Sequence, residues 1–272
     1  MPRFDANIDL MFTERPFLSR FQASADAGIP AVEILAPYPH GATEIRNAAT
    51  GAGTDIVLIN TPILDPEAGI IGCAADPARR DEFESSVATA LDMASAIGAP
   101  RIHVMVGNGD PESTAANDCA VANFRAAAAE ARTRDLILML EPLNLVDRPG
   151  YFLSTNDHAC RLLDRIGAEN MQLQFDAYHT QTMTGDHTRT LRGLRARVVH
   201  IQIANPPDRH EPGAGEVDFD WFLRLVDDLG YGGPIGLEYI PSGTTAASLD
   251  WFRTNGCLGR VVLHRSPRLR SP

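Results

Sequence analysis

The feature that most constrains the fold is a set of short apolar runs that recur along the chain. One of them, LILML, leads directly into Glu141 and Pro142. A run this continuous predicts a strand that is covered on both faces, as in parallel sheets. The eight predicted strands span residues 3–9, 31–37, 55–62, 101–107, 136–142, 171–179, 198–205 and 234–241.

Stretches with helical character separate most of these runs. Residues 81–99 carry apolar side chains at near-helical spacing, residues 115–134 are rich in alanine, and residues 218–230 begin with a capping Asp218. Strand and helix alternating eight times predict an α/β fold, a single (β/α)8 TIM barrel. An open doubly wound sheet is the alternative, but no Gly-x-Gly-x-x-Gly turn follows the first strand.

The chain is long enough for one such barrel. It has 272 residues, 44% of them apolar, and we expect the barrel to occupy residues 1–254. Residues 255–272 contain several arginines and two Ser-Pro pairs but no acidic residue, so we predict a basic, poorly ordered extension there. A role for this extension in binding nucleic acid or a partner stays open.

Composition and charge argue against several classes of protein. No run approaches the roughly 18 apolar residues of a membrane span, and the first residues do not resemble a secretory signal. The four cysteines are far apart, which favours a reduced, cytoplasmic protein. A net charge of -11 argues against a nucleic-acid partner. The sequence leaves a homo-oligomer open.

Four successive strands are predicted to end in an oxygen-bearing side chain: Glu141, Asp176, Gln202 and Glu238. The active site of a (β/α)8 barrel gathers at the carboxyl ends of its strands. Three carboxylates brought together there cost several kcal/mol in repulsion and lost hydration unless a cation lies among them. A single polar strand end usually caps a helix or faces water, but four at one register predict a metal site.

These ligands also indicate the metal and the chemistry. Oxygen ligands without a thiolate suit one Mg²⁺ or Mn²⁺ ion better than zinc, and no organic cofactor is predicted. Such an ion can polarise the hydroxyl group and the adjacent carbonyl of an α-hydroxycarbonyl compound. Glu141 and Glu238, on the fifth and eighth strands, could then move a proton between neighbouring carbons through an enediolate.

Other polar side chains are predicted to converge on the same rim. His179 follows Asp176 by three residues, and Arg209 and Glu211 lie in a loop rich in proline and glycine. We predict that these three residues bind substrate, with Arg209 binding a substrate carboxylate through two hydrogen bonds.

Three further side chains are ambiguous from sequence alone. His200 lies two residues before Gln202, on the same face of the strand, and is predicted to belong to the barrel core. His103 and Glu33, on the fourth and second strands, are weaker candidates for the site.

Six motifs resemble the hydroxypyruvate isomerase family of xylose-isomerase-like barrels. They are RFDANIDLMFTERPF, AVEILAPYP, EPLN, QFDAYH, HIQIANPPDRHEPGAGE and GLEYIP, and the likeness covers roughly residues 1–254. MPRF, MFTE and PDRHEP look like the 2-oxo-tetronate isomerase branch, whereas EPLN looks more like the hydroxypyruvate isomerases.

This resemblance implies a metal-dependent aldose–ketose isomerase that interconverts small 2-oxo and hydroxy acids without an organic cofactor. The reaction it implies most directly is hydroxypyruvate to 2-hydroxy-3-oxopropanoate (tartronate semialdehyde), with 2-oxo-tetronate isomerisation as the alternative. By position, Glu141, Asp176, Gln202 and Glu238 match the metal ligands of the family. Glu141 and Glu238 also match its acid/base pair.

The chain departs from the family pattern at two positions. Ile240 stands where members commonly have lysine, and Asn205 where hydroxypyruvate isomerases usually have aspartate. Both departures bear on substrate preference. Gln202 favours an isomerase over the related ketose 3-epimerases, which tend to have histidine there.

Two remote alternatives come from other classes of protein. An apurinic endonuclease can use a similar barrel, but it would be expected to cluster histidines around zinc and to carry a basic groove. A non-catalytic binding barrel would not be expected to keep costly carboxylates at all the predicted ligand positions.

Overall fold

The computed structural model describes residues 3–257. Eight parallel strands form a closed barrel in sequence order, and β8 pairs with β1. The strands are β1 (Arg3–Asn7), β2 (Ala31–Ile34), β3 (Asp55–Asn60), β4 (Arg101–His103), β5 (Ile137–Leu140), β6 (Met171–Asp176), β7 (Val198–Ile203) and β8 (Pro234–Leu237). The predicted (β/α)8 barrel is confirmed, and closure excludes the open sheet.

Helices follow every strand and pack around the barrel. They are α1 (Arg20–Asp26), α2 (Ala42–Ala52), α3 (Arg80–Ile97), α4 (Thr114–Arg132), α5 (Asn156–Ile166), α6 (Ala177–Met183), α7 (His187–Leu194), α8 (Phe219–Asp228), α9 (Thr245–Ser248) and α10 (Asp250–Thr254). Among residues 3–257, no helix is both long and apolar enough to cross a membrane.

Local sequence signals explain where several helices begin and end. On α3, Phe83, Val87 and Leu91 are buried at helical spacing, and the helix ends at Gly98, whose φ of 80° suits glycine. The Asp218 side chain accepts a hydrogen bond from Trp221 N and so caps α8, as the sequence predicted.

The interior of the barrel is polar as well as apolar. Glu33 on β2 contacts His200 and Gln202 on β7, and strands β1 and β8 lie between them in the sheet, so the contacts cross the interior. Asp5 and Asn7 on β1 are also fully buried. Neither residue was among the side chains predicted for the site, although both alternate with apolar neighbours in the strand.

The described chain ends shortly after α10. Cys257 N donates a hydrogen bond to Phe252 O at 2.8 Å. Most of the predicted basic extension, residues 258–272, lies outside the described residues.

Candidate active site

A cavity of about 560 Å³ lies at the carboxyl end of the barrel strands. Strands deliver their last side chains to this end because all eight are parallel. Its polar lining residues include Asn60, His103, Glu141, Asp147, Arg148, Tyr178, His179, Asp208, Arg209 and Glu238. Its apolar lining residues include Leu35, Ile63, Ile71, Met105, Leu143 and Ile240.

Glu141 and Asp176 are brought together at the base of this cavity. Glu141 directly follows β5, and Asp176 is the last residue of β6. Ligand atoms of Glu141, Asp176 and His179 all lie within 4.8 Å of one another, and all three residues are buried. The Asp176 side chain also accepts from Tyr178 N at 2.7 Å, which caps α6 and fixes the carboxylate.

Glu238, directly after β8, forms an ion pair with Arg209. Arg209 Nη2 lies 2.7 Å from Glu238 Oε2 and 3.6 Å from Asp176 Oδ2, so one guanidinium nitrogen bridges two of the predicted ligands. The Arg209 guanidinium also lies over the Tyr178 ring, 5.1 Å from its centroid. Arg209 lines the cavity as predicted, but its positive charge already interacts with the carboxyl groups of Glu238 and Asp176.

Gln202, near the end of β7, has its amide orientation set by neighbours in the barrel. Its Nε2 donates to Glu33 Oε1 at 2.9 Å, and its Oε1 accepts from Gln174 Nε2 at 2.5 Å. The amide oxygen therefore faces Gln174 on β6, the strand that ends at Asp176. A carbonyl oxygen has two lone pairs, so it can accept a second partner.

The hydrogen bonds of His179 define the tautomer of its neutral ring. Asn144 N donates to His179 Nδ1 at 3.1 Å, so in the neutral ring Nε2 carries the proton. Burial, followed by the charge of Arg209, lowers the pKa of His179 well below 6.5. The ring thus offers an N–H donor to the cavity, which suits contact with a substrate oxygen better than metal ligation.

His103 and His200 lie at different depths. His103 Nδ1 is 3.2 Å from Glu141 Oε2 and lines the cavity. Burial, with a smaller effect of His200, lowers the pKa of His103 to about 3. His200 is fully buried and pairs with Glu33 at 2.9 Å, which agrees with its predicted place in the barrel core.

Glu211, which the sequence predicts to bind substrate, is bonded to a neighbouring loop. It accepts hydrogen bonds from Ser242 N at 3.0 Å and from Ser242 Oγ at 2.6 Å. It therefore ties the loop after β7 to the loop after β8, and it does not line the cavity described above.

The two departures from the family pattern also occupy different places. Asn205 Oδ1 accepts from Val217 N at 3.0 Å, so this buried side chain shapes the loop after β7 without lining the cavity. Ile240 lines the cavity and is half exposed. An effect on substrate preference is therefore expected from Ile240 rather than from Asn205.

The carboxylates of the site are destabilised in their charged form. Burial, followed by the charges of Glu238 and Asp176, raises the pKa of Glu141 well above 4.5. Burial also raises the pKa of Asp176 and raises that of Glu238 to about 8, against the opposing effect of Arg209. Clustered carboxyl groups of this kind are stabilised by a bound cation.

The same groups fit a divalent cation chemically. Within residues 3–257, Glu141 Oε1 and Asp176 Oδ2 are buried without a hydrogen-bond partner. Buried carboxylate oxygens without partners are costly, and a hard cation satisfies them. The donor set of Glu141, Asp176, Glu238 and Gln202 is therefore suited to Mg²⁺ or Mn²⁺.

We expect the stabilising effect of Mn²⁺ to grow with pH. The folded-state pKa of Glu238, about 8, lies above its ordinary 4.5, so the metal-free protein loses free energy of unfolding as the pH rises from about 5 to 8. A bound cation removes this penalty, so Mn²⁺ should raise Tm more at pH 8 than at pH 6. Thermal unfolding with EDTA or MnCl₂ at both pH values measures the difference; an equal rise at both would contradict the expectation.

Comparison with known proteins shows the family of the chain. The model of the xylose isomerase-like TIM barrel family matches residues 21–255, and the chain belongs to that family. The resemblance predicted from the motifs is thereby confirmed at the level of fold and family.

Relatives of known name extend this assignment. The chain is 40% identical to a 2-oxo-tetronate isomerase of Cupriavidus necator, over 93% of this chain and 98% of the relative. It is 36% identical to the hydroxypyruvate isomerase of Escherichia coli, with the same coverage of both chains. These relatives identify the chain as an enzyme of the isomerase class, as the sequence predicted.

A solved structure agrees with the fold. The crystal structure of AP endonuclease, family 2, from Brucella melitensis superposes with a TM-score of 0.90 at 38% identity. The match covers 93% of this chain and 99% of that one.

Proposed function

We propose that this protein is a metal-dependent isomerase that converts hydroxypyruvate to tartronate semialdehyde. The observation that carries the proposal is that Glu141 and Glu238, from strands on different sides of the barrel, line one cavity with raised pKa values. Two carboxyl groups arranged in this way can exchange protons with carbon atoms between them. The names of the relatives support the reaction class.

In this proposal, Glu141, Asp176, Glu238 and the amide oxygen of Gln202 hold one Mg²⁺ or Mn²⁺ ion. When bound, the ion would supply Lewis-acid polarisation of the hydroxyl and carbonyl oxygens of the substrate. The proposed metal site requires neither a thiolate ligand nor a cluster of histidines.

The glutamates then carry the proton from one carbon to the next. One carboxylate removes a proton from C3 of hydroxypyruvate, giving an enediolate, and the other carboxyl group delivers a proton to C2. The hydroxyl proton leaves the oxygen on C3, and the oxygen on C2 gains one, so the product is an isomer.

In this proposal, neutral His179 donates a hydrogen bond to an oxygen of the substrate. His179 Nδ1 is occupied by Asn144, and the protonated Nε2 lies 3.6 Å from Asp176 Oδ2, beside the cavity that His179 lines. A hydrogen bond from this group to a substrate oxygen stabilises charge that develops during proton transfer.

The second candidate is isomerisation of 2-oxo-tetronate. Its reacting carbons are the same two positions next to the carboxylate, with one additional hydroxymethyl group. The 40% identity to the Cupriavidus necator enzyme favours it, and a cavity of about 560 Å³ leaves room for four carbons.

Three other functions are less consistent with the site. The Brucella melitensis protein is named as an endonuclease, but the net charge of -11 on this chain disfavours a phosphate backbone as ligand. Gln202 in place of histidine disfavours a ketose 3-epimerase. A non-catalytic barrel does not explain several buried carboxyl groups of raised pKa around one cavity.

Turnover by metal-stripped and metal-restored protein tests the proposal. We expect no measurable isomerisation of hydroxypyruvate after treatment with EDTA and recovery on addition of Mn²⁺ or Mg²⁺, because the clustered carboxylates need the cation. Parallel assays with 2-oxo-tetronate decide between the two candidates through kcat/KM. Full activity in the stripped protein would contradict metal dependence, and inactivity on both acids after reloading would contradict the proposed function.

A further inference from the structure

Among residues 3–257, two arginines line the cavity, and they differ in what already surrounds them. Arg209 contacts Glu238 and Asp176, as described above. Arg148, in the loop after β5, is exposed, and its guanidinium forms no hydrogen bond or ion pair with any residue between 3 and 257. The two side chains therefore offer different amounts of positive charge to a ligand.

The loop that carries Arg148 is held in place by Asn144. Asn144 Oδ1 accepts from Val146 N and Asp147 N, at 3.1 and 2.8 Å, and Asn144 Nδ2 donates to Asp147 Oδ2 at 2.9 Å. Arg148 N donates to Asn144 O at 3.1 Å. The backbone of Arg148 is thus fixed at the cavity wall, which limits the conformational entropy that ligand binding costs.

Existing ion pairs show which arginine remains available. Arg209 already pairs with Glu238 at 2.7 Å and lies 3.6 Å from Asp176, so its charge is shared between two carboxyl groups before a ligand binds. A substrate carboxylate adds one more negative charge, and burying it without a partner is costly. Arg209 Nε has no hydrogen-bond partner within the described residues, so Arg209 can still donate to a neutral substrate oxygen.

We propose that Arg148 binds the carboxylate of the 2-oxo acid substrate, and that Arg209 does not. The inference rests on the proposed function and deepens it, because it places the acid group of the substrate beside the loop after β5. It also changes the prediction from sequence, which assigned that carboxylate to Arg209. Arginine suits this role because its planar group binds a carboxylate through two hydrogen bonds.

Binding of D-glycerate, an unreactive acid of the same size, tests the assignment directly. Isothermal titration of the Mn²⁺-loaded protein compares the wild type with R148Q, R209Q and R46Q. Arg46 is an exposed arginine on α2 and serves as the matched control. We expect R148Q to weaken D-glycerate binding about 10- to 100-fold, the usual effect of losing a charge-assisted hydrogen bond. R46Q should bind as the wild type does.

Kinetics provide a second, independent measurement. Dihydroxyacetone lacks the carboxylate but has the same hydroxyl and carbonyl groups as hydroxypyruvate. R148Q should lower kcat/KM for hydroxypyruvate, mainly through KM, and leave that for dihydroxyacetone unchanged. An equal loss on both compounds would overturn the assignment.

The outcomes separate this inference from the proposed function. If the wild type fails to isomerise hydroxypyruvate, the proposed reaction is wrong, while D-glycerate binding still decides the role of Arg148. The assignment is overturned if R148Q binds D-glycerate as tightly as the wild type, if only R209Q loses binding, or if the wild type does not bind D-glycerate.

Discussion

Replacing either glutamate of the proposed acid/base pair, Glu141→Gln or Glu238→Gln, should lower turnover of hydroxypyruvate by about 100-fold or more. An amide cannot take or give a proton at carbon, but it occupies the same volume. In Glu238→Gln the amide oxygen can still accept from Arg209 Nη2, which lies 2.7 Å from the present carboxylate. We therefore expect the fold to persist, as circular dichroism and thermal unfolding would show.

Glu211→Gln is the matched control for this pair. Glu211 follows the cavity residue Arg209 by two positions in the loop after β7. Its side chain bonds to Ser242 and is not among the residues that line the cavity. Its replacement should leave kcat within a few-fold of the wild type. A Glu141 or Glu238 variant with near-normal turnover and normal metal content would remove that residue from proton transfer.

Hydrogen exchange with solvent identifies the step that the glutamates perform. Isomerisation in D₂O should place deuterium on the product carbon, at least in part, because a carboxyl proton can exchange with solvent between removal and return. Both glutamine variants should lose this exchange along with turnover. Complete retention of substrate hydrogen over many turnovers would instead indicate a hydride shift.

Loss of the Asp176 charge should strongly weaken metal binding. We expect Asp176→Asn to lower Mn²⁺ affinity by at least about 100-fold, since one of three anionic ligands is removed. Asparagine can still accept from Tyr178 N and cap α6, so the loss of affinity is separated from a loss of the cap. Titration calorimetry or electron paramagnetic resonance of Mn²⁺ measures the change.

Asp147→Asn makes the same change of charge in the same cavity and serves as the control. Asp147 is an exposed lining residue, and its side chain accepts from Asn144 Nδ2. Its replacement should alter Mn²⁺ affinity only a few-fold, because exposed charges are screened by solvent. Wild-type affinity in Asp176→Asn would show that Asp176 is not a ligand.

The barrel and the position of its cavity could be predicted from the sequence for a local reason. Each apolar run specifies one buried strand, and parallel strands bring their carboxyl ends to one side whatever the details of packing. Residues directly at those ends, such as Glu141, Asp176 and Glu238, are therefore assigned to the cavity by counting along the chain. The capping role of Asp218 is likewise local.

The contacts among these side chains depend on packing between distant strands, and the sequence alone did not specify them. Glu33 and Gln202 are 169 residues apart, and Asn7 and Glu238 are 231 residues apart, yet each pair lies within hydrogen-bond distance. Nothing near Glu211 in the sequence indicates that Ser242 binds it. The sequence thus determined which side chains stand at the ends of the strands, whereas the closed barrel decided which charges are paired, because pairing depends on distances across the interior and rim.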